Sequence, residues 1–242
     1  MEFKEKVVLI TGGSSGIGMV TALLFAQKGA NVAITYKSNK KGADEVVNEI
    51  KKLGVKVLAI KADLTKDDEA KKVVDKTIEV FGKIDVLVNN AGRYIDGDEW
   101  NLDVDIWIES LKQNLVSAMS MSKYATEVFL KQKSGIIVNV SSIHGVNGHA
   151  DAISYSAGKA GVINITQSYA ELLSVFDGRA NVVSPAQTDA GYWLTAPQEE
   201  LKAVLASRKD GKLIDPKEVA EKIVFLASDE SKDINGENFI IN

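Results

Sequence analysis

The sequence predicts a doubly wound, mainly parallel α/β sheet with helices on both faces. Three observations indicate this fold class. Short apolar runs rich in Val and Ile alternate with longer helical stretches along the 242 residues. The runs are continuously apolar, as in parallel strands that are buried on both faces. Glycine follows several helical stretches, which is typical of a helix C-terminus. Strands and helices that alternate in this way form parallel βαβ units.

The first three strand–helix units are predicted from these signals. Each strand is an apolar run with β-branched residues, and the three helices end at Gly29, Gly54 and Gly82. The strands are predicted at residues 7–10, 32–36 and 55–60, and the helices at residues 19–28, 43–53 and 67–81.

The second half of the chain continues the alternation. A fourth strand is predicted at residues 84–88, and a long helical region follows it. Gly135 introduces a fifth strand, followed by a helix, a sixth strand, another helix and a seventh strand. These later elements are predicted at residues 104–131, 136–140, 153–175, 179–183, 216–227 and 238–241. Ligands are expected at the carboxyl ends of the strands, near the point where the strand order reverses.

Composition limits both the domain count and the function. No linker or change of composition divides the chain, so we expect one domain over residues 1–242. The net charge of −4 argues against a nucleic-acid partner. The absence of cysteine and the presence of only two histidines argue against disulfides, thiolate chemistry and a metal site. The apolar run near the N-terminus is too short for a signal peptide or a membrane span, which favours a cytoplasmic protein.

The turn after the first strand carries three spaced glycines. Gly12, Gly16 and Gly18 follow the pattern G-x-x-x-G-x-G between a strand and a helix. The first glycine permits a tight turn, and the second lets backbone N–H groups approach a pyrophosphate at the helix N-terminus. The third allows close packing of helix and strand. A glycine cluster alone is often only a turn, but the strand–turn–helix context favours a dinucleotide site.

The end of the second strand predicts which dinucleotide binds. An acidic residue there would bind the ribose 2'-hydroxyl of NAD. Tyr36, Lys37 and Ser38 stand at that place instead, and the nearest acid downstream is Asp44. Lys37 and Ser38 could bind a 2'-phosphate, so NADP(H) is favoured. The alternative is that Lys37 is a solvated loop charge.

Hydroxyls at the end of the fifth strand precede a tyrosine–lysine pair. Tyr155 and Lys159 are four residues apart, which is about one helical turn, so they share a face. An ammonium group beside a phenol lowers the phenol's pKa below its free value of about 10. Ser142 could hold a carbonyl against that phenol. These residues could therefore form an acid/base site for carbonyl–alcohol chemistry.

The same spacing occurs a second time in the chain. Tyr36 and Lys40 also form a Tyr-x-x-x-Lys motif. Because this copy follows the second strand, it falls at the adenosine end of the predicted dinucleotide site. We therefore expect that it is not catalytic.

Further residues extend these motifs into a longer pattern. Asp63-Leu64 follows the third strand, Asn90-Ala91-Gly92 follows the fourth, and Asn114 lies in the long helical region. With these residues the chain resembles the short-chain dehydrogenase/reductase family over nearly its whole length. The resemblance implies a single-domain Rossmann-type fold. It also implies hydride transfer between nicotinamide C4 and a substrate carbonyl carbon.

The resemblance implies roles for the site residues. Tyr155 would donate a proton to the developing alkoxide, and Ser142 would bind the same oxygen. Lys159 would lower the Tyr155 pKa and bind the nicotinamide ribose. Asn114 would bend the long helix and complete a proton relay through water to Lys159. The predicted catalytic residues are Asn114, Ser142, Tyr155 and Lys159. The predicted cofactor-binding residues are Gly12, Ser14, Ser15, Gly16, Ile17, Gly18, Tyr36, Lys37, Ser38, Asp63, Leu64, Asn90, Ala91, Gly92, Tyr155, Lys159, Pro185 and Thr188.

The chain departs from the family pattern after the sixth strand. Relatives usually carry Gly directly after the proline equivalent to Pro185, and Thr five residues after that proline. This chain has Ala186 and Ala190 at those two positions. Alanine disfavours a positive φ. Loss of the Thr hydroxyl removes one bond to the nicotinamide carboxamide, which Thr188 could replace. Weaker cofactor binding is therefore expected.

Residues 188–212 are expected to form a mobile cover over the substrate, because this segment forms such a cover in the family. The predicted substrate-binding residues are Ser142, His144, Tyr155, Tyr192 and Trp193.

The subfamily resemblance is to 3-oxoacyl-(acyl carrier protein) reductases, which hold their acidic carrier with basic residues. Lys133 fits one such position, but Phe176 stands at the other, with Arg179 nearby. A carrier-protein partner is therefore only weakly supported.

Three functions remain open at this point. The chain could be an NADPH-dependent reductase of a 3-oxoacyl thioester, a reductase or dehydrogenase of another small ketone, sugar or alcohol, or a non-catalytic NADP(H) sensor. The helices at 104–131 and 153–175 carry more apolar residues than one sheet face needs. In relatives such helices pair across subunits, so we expect a homotetramer, with a dimer as the alternative.

Overall fold

The computed structural model describes residues 2–95, 97–208 and 210–242. The strands are β1 Val7–Ile10, β2 Asn31–Tyr36, β3 Val57–Lys61, β4 Val86–Asn89, β5 Ser134–Val140, β6 Asp177–Pro185 and β7 Asn238–Ile241. In the described chain they form one sheet in the order β3-β2-β1-β4-β5-β6-β7, and every neighbouring pair is parallel. The predicted doubly wound, mainly parallel sheet of seven strands is confirmed.

Helices connect the strands throughout. They are α1 Gly16–Gln27, α2 Lys40–Lys52, α3 Asp67–Phe81, α4 Val104–Leu111, α5 Ser117–Gln132, α6 Ile143–Val146, α7 Ile153–Leu173, α8 Gln198–Ser207 and α9 Pro216–Ala227. Within the described residues, no helix combines the length and apolar character needed to cross a membrane.

The two faces of the sheet carry separate apolar layers. Val8 and Ile10 of β1 pack in one layer with Phe25 of α1. Leu9, between them in sequence, packs in the other layer with Phe129 of α5. All are almost completely buried, and burial of each such side chain contributes about 1.5–3 kcal/mol. Neighbouring strand residues thus point to opposite layers, which explains the continuously apolar runs.

The structure corrects some of the predicted boundaries. The helical region predicted at 104–131 contains a π-helical turn at Lys112–Val116, which joins α4 to α5 and includes Asn114, the residue at which a bend was predicted. After Ser142 the chain forms the single turn of α6, which was not among the predicted helices, and the Ser142 hydroxyl accepts a hydrogen bond from His144 N. In the predicted cover at 188–212, the described residues include a 3₁₀ turn at Gly191–Leu194 and α8. Residue 209 of that segment lies outside the described residues.

The strand order reverses between β1 and β4. From β1 the chain proceeds outward through β2 and β3, and from β4 it proceeds the other way through β5, β6 and β7. The glycine-rich turn follows β1, and residues 90–92 follow β4. Both segments therefore lie at the carboxyl edge of the sheet beside the reversal, where ligands bind in sheets of this type.

Candidate active site

A cavity of about 1110 Å³ extends along the carboxyl ends of the strands. Its lining includes every predicted cofactor-binding and substrate-binding residue except Gly18. Of the predicted catalytic residues, Ser142, Tyr155 and Lys159 line the cavity, whereas Asn114 lies behind its wall. The fold therefore brings together residues from segments that are far apart in sequence.

The glycine-rich turn needs its glycines for different reasons. Gly12 and Gly16 have φ values of +65° and +52°, which side-chain-bearing residues rarely adopt. A Cβ on Gly18 would lie 2.4 Å from Gly12 O. Gly18 thus permits the close packing predicted for it and does not contact the cavity. Hydrogen bonding from Gly12 N to Thr35 Oγ1, over 3.1 Å, ties the turn to β2.

Two supporting residues were not predicted. The Thr11 hydroxyl accepts hydrogen bonds from the backbone N–H groups of Asn90 and Ala91, both over 2.9 Å. Asn90 Nδ2 in turn donates to Thr11 O over 2.9 Å. Asn39 donates to Ser14 O and also caps α2. Both residues hold cavity-lining backbone in place, but their partners become visible only in the folded chain.

Asn114 lies in the π-helical turn and is almost completely buried. Its Oδ1 accepts from Arg93 N over 3.0 Å, and its Nδ2 donates to Arg93 O and Ser110 O. A Cβ on Gly92 would lie 2.6 Å from Asn114 Oδ1 and 3.2 Å from Lys159 Nζ. The side-chain amide thus fixes the segment after β4. In the described structure no hydrogen bond joins this amide to Lys159, and the water relay stays a prediction.

The two serines after β5 have different partners. Ser141 Oγ donates to Lys159 O over 2.8 Å, which binds the end of β5 to the backbone of α7. The Ser142 hydroxyl instead accepts from His144 N over 3.2 Å and lies near enough to the Tyr155 phenol to lower its pKa. This division of partners agrees with the choice of Ser142 as the residue that contacts a reacting oxygen.

The pKa of Tyr155 differs from the prediction. Burial raises this pKa above 10.0, and the Ser142 hydroxyl lowers it by less. The expectation that Lys159 dominates and lowers the pKa is wrong for this structure. The reason is that Lys159 Nζ lies 5.7 Å from the centre of the Tyr155 ring and donates to Val140 O over 2.9 Å. Burial also lowers the pKa of Lys159, from 10.5 to about 8.

Comparisons with known proteins identify the family of this chain. The sequence model described as short chain dehydrogenase matches residues 6–200. The chain belongs to the short-chain dehydrogenase family. A 3-oxoacyl-[acyl-carrier-protein] reductase of Thermotoga maritima is 38% identical over 237 residues, which are 98% of this chain and 96% of that protein. A cis-4-hydroxycyclohexanecarboxylate dehydrogenase of Sinomonas cyclohexanicum is 38% identical over 236 residues, which are 97% of this chain and 94% of that protein.

Solved structures of short-chain dehydrogenases share the whole architecture. The crystal structure of levodione reductase superposes with a TM-score of 0.94 at 25% identity, covering 99% of this chain and 97% of that one. The structure of an NAD⁺-bound xylitol dehydrogenase superposes with a TM-score of 0.92 at 27% identity, covering 100% and 99%. The Rossmann-type fold predicted for this chain is therefore confirmed.

At the end of β2, where the adenosine is predicted to bind, this short-chain dehydrogenase has an ion pair between two predicted cofactor-binding residues. Lys37 Nζ lies 2.9 Å from Asp63 Oδ2. Burial would raise the pKa of Asp63, but hydrogen bonds from Lys37 and Thr65 outweigh it and keep the pKa below its usual value. The nearby Lys40 lies on the surface, 2.6 Å from Asp44. The second Tyr-x-x-x-Lys motif thus has its lysine in a surface ion pair.

After β6, the backbone is unstrained at Ala186, the position where relatives carry glycine. Among the described non-glycine residues, only Glu5 and Lys133 have positive φ, so Ala186 needs no left-handed conformation. The Thr188 hydroxyl donates to Ala186 O over 2.9 Å, which leaves its oxygen able to accept. The expected conformational penalty at Ala186 is therefore wrong. The loss of a hydroxyl at Ala190 remains.

Aromatic rings form one wall of the cavity around Tyr155. Tyr94 packs edge-on against Tyr155, with ring centres 5.8 Å apart, and against Tyr192 at 4.9 Å. Trp193 continues the row beyond Tyr192, and His144 contacts the other side of Tyr155 at 6.2 Å. The predicted substrate residues His144, Tyr192 and Trp193 thus lie in one continuous row with Tyr155. Tyr94 is an additional member of this row.

Proposed function

We propose that this protein is an NADP(H)-dependent reductase that transfers a hydride to a carbonyl substrate, with Tyr155 as the general acid. The observation that carries the proposal is the meeting of Ser142, Tyr155 and Lys159 at one wall of the cavity. The glycine-rich turn and the close approach of Gly92 to Lys159 fit a nicotinamide dinucleotide. When bound, the nicotinamide supplies the hydride.

The protein's own groups can perform the proton transfer. Because burial raises the pKa of Tyr155, the phenol holds its proton at neutral pH and can donate it to a developing alkoxide. The Ser142 hydroxyl stands beside that phenol and can bind the same oxygen. With a pKa of about 8, Lys159 remains charged in about nine of ten molecules at pH 7. Its charge, 5.7 Å from the centre of the Tyr155 ring, adds only weakly to the stability of the phenolate that remains after the transfer.

NADP(H) is proposed over NAD(H) because of the end of β2. Lys37 and Ser38 line the cavity there, and Lys37 is 58% exposed. An exposed ion pair is worth only about 0–1 kcal/mol. A 2'-phosphate can therefore draw Lys37 away from Asp63. Fluorescence titration with NADPH and NADH tests this: NADPH should bind more tightly, and Lys37→Ala should remove most of the difference.

A 3-oxoacyl thioester is the first substrate class proposed. The Thermotoga maritima relative is named for reduction of such a substrate on a carrier protein. A carrier protein itself receives less support, because Arg179 is not available to bind one. Its guanidinium is buried and donates to the carbonyl oxygens of Leu226 and Ser228 at the end of α9. Acetoacetyl-CoA, which needs no carrier, is the appropriate test substrate.

A cyclic ketone or alcohol is the second substrate class. The aromatic row around Tyr155 favours it, because flat or puckered rings pack well against aromatic faces and edges. The relatives named for cis-4-hydroxycyclohexanecarboxylate and for levodione add support. Loss of NADPH absorbance with acetoacetyl-CoA, with open-chain ketones and with cyclic ketones separates the two classes. Tight NADPH binding without turnover of any of these would favour the non-catalytic sensor.

A homotetramer in the cytoplasm completes the proposal. Val116 and Met119, in and after the π-helical turn, are partly exposed apolar side chains, as are Leu172 and Val175 at the end of α7. Such side chains are suited to burial between subunits. A tetrameric mass by light scattering at micromolar concentration would support this assembly, and a monomeric mass would contradict it.

A further inference from the structure

Asp98 is a completely buried carboxylate that lies outside the predicted site. It belongs to the segment between β4 and α4, and its exposed fraction is 0%. Buried carboxylates are costly unless hydrogen bonds satisfy them. The partners that satisfy Asp98 therefore indicate what the residue does.

Those partners are the first residues of the helix that carries Tyr155. Asp98 Oδ2 accepts from Tyr155 N over 2.8 Å, and both carboxylate oxygens lie 2.9 Å from Ser154 Oγ. The backbone contributes as well, since Ile153 N donates to Asp98 O over 3.0 Å. Three consecutive residues of α7 are thus held by a single residue from another segment.

Asp98 replaces a helix cap that α7 lacks. Residue Ala152 stands at the N-cap position and has no side chain to accept from the first turn, which also contains no acidic residue. The carboxylate of Asp98 satisfies an N–H group that the helix leaves without a partner, and its charge suits the positive end of the helix dipole. The anchored N–H group belongs to Tyr155 itself.

A second contact links Tyr155 to the chain that precedes α4. The Tyr94 ring packs edge-on against the Tyr155 ring, and the Tyr94 hydroxyl donates to Asp151 O over 2.7 Å. The backbone and the ring of Tyr155 are thus supported by Asp98 and Tyr94.

We propose that Asp98 is a positioning residue for Tyr155: its buried carboxylate fixes the first turn of α7 and thereby the placement of the phenol against Ser142. This inference rests on the proposed function for its catalytic consequence. Its structural consequence, a change at the Tyr155 ring, can be measured without turnover.

The test compares Asp98→Ala, Asp98→Asn and Asp103→Ala. Asp103 is the matched control, because it lies in the same segment and caps α4 through Asp105 N, away from Tyr155. Asp98→Asn is the conservative variant, because its amide oxygen can still accept from Tyr155 N while the Ser154 hydroxyl turns to accept from the amide. Ser154→Ala, which removes one partner of Asp98, provides a milder second variant if Asp98→Ala does not fold.

Two measurements are needed. The first compares kcat for carbonyl reduction with the Kd for NADPH, which is measured separately by fluorescence titration. Asp98→Ala should lower kcat by about 10- to 100-fold, since misplacement of a reacting group by about 1 Å has effects of that order. Its Kd for NADPH should stay within about threefold of the wild type, because Asp98 contacts the first turn of α7 and neither the glycine-rich turn nor the end of β2. Asp98→Asn should recover most of the lost kcat, Ser154→Ala should lower it a few-fold, and Asp103→Ala should leave it unchanged.

The second measurement is NMR of protein labelled with ¹³C at tyrosine Cζ, with the Tyr155 signal assigned through Tyr155→Phe. The Tyr155 signal should shift or broaden in Asp98→Ala and Ser154→Ala, return in Asp98→Asn, and stay in place in Asp103→Ala. An unmoved signal in Asp98→Ala, or a parallel loss of kcat and NADPH affinity that Asp98→Asn does not rescue, would overturn the positioning role. If the wild type reduces no carbonyl but the signal responds as described, the positioning role stands and the proposed reaction fails.

Discussion

The wall that carries Ser142, Tyr155 and Lys159 differs from the segment at residues 186–190 in how it contributes to the site. The first presents side chains from the end of β5 and from α7. Ser142 Oγ accepts from His144 N, the Tyr155 ring packs against Tyr94, and Lys159 Nζ donates to Val140 O. The second is held largely through its backbone, as in the bond from Ala186 N to Ile241 O. A side-chain site depends on residue identity, whereas a backbone site depends mainly on φ and ψ. Departures from the family pattern should therefore matter little in the second region and greatly in the first.

Removal of the Tyr155 hydroxyl should have the largest effect. In Tyr155→Phe the general acid is lost while the ring remains, so kcat should fall by about 10²–10⁴-fold. The Kd for NADPH, measured by fluorescence, should change by less than about threefold. Tyr169→Phe, on the same helix, is the control and should keep wild-type kcat. Full activity of Tyr155→Phe would mean that the wall does not depend on the identity of Tyr155, and the difference between the two regions would then disappear.

The buried charge of Lys159, on the same wall, should lower the free energy of unfolding of the cofactor-free protein at neutral pH. The pKa of Lys159 falls from 10.5 to about 8 on folding. Between these values the unfolded chain binds more protons, so the contribution of Lys159 to stability rises with pH from about 8 to 10.5. Below pH 8 the buried charge is unfavourable by about 3 kcal/mol at most. Above pH 10 the raised pKa of Tyr155 acts in the opposite direction, because stability then falls as the phenol ionises in the unfolded chain first.

Urea unfolding of Lys159→Met and the wild type at several pH values checks this sign. The variant should be more stable at pH 7, and its advantage should shrink as the pH approaches 10. Lys40→Met, which changes a surface lysine, should show no comparable trend over this range. An advantage of Lys159→Met that stays constant with pH would mean that Lys159 is not desolvated as described.

The difference between the two regions also explains what the sequence could predict. Tyr155 and Lys159 share a helix face, so their proximity follows from a spacing of four residues. Their desolvation does not follow from spacing, and the predicted direction of the Tyr155 pKa was wrong for that reason. Asp98 meets Tyr155 across 57 positions, and Thr11 meets Asn90 across 79. In the sequence Asp98 looked like an ordinary loop residue, and Thr11 was only the residue before the glycine-rich turn, because only the sheet topology brings their partners near.

Ala190→Thr tests the segment at residues 186–190, which is held largely through its backbone. The substitution restores the hydroxyl that relatives carry, in a place where Ala190 Cβ faces the open side of Gly16. One added hydrogen bond is worth about 0.5–1.5 kcal/mol, so NADPH should bind about 3- to 10-fold more tightly. Ala190→Val has a similar shape without the hydroxyl and should give no gain. An equal gain in both variants would attribute the effect to packing.

The smallest effect is expected from Ala186→Gly, which restores the residue usual in relatives. Since Ala186 does not have a positive φ, glycine relieves no strain and adds only freedom to the unfolded chain. The free energy of unfolding should fall by about 0.5–1 kcal/mol, with the Kd for NADPH within about twofold of the wild type. Tighter NADPH binding in Ala186→Gly would mean that the bound state needs a left-handed conformation at this position. In that case the backbone region would also depend on residue identity, and the contrast between the two regions would disappear.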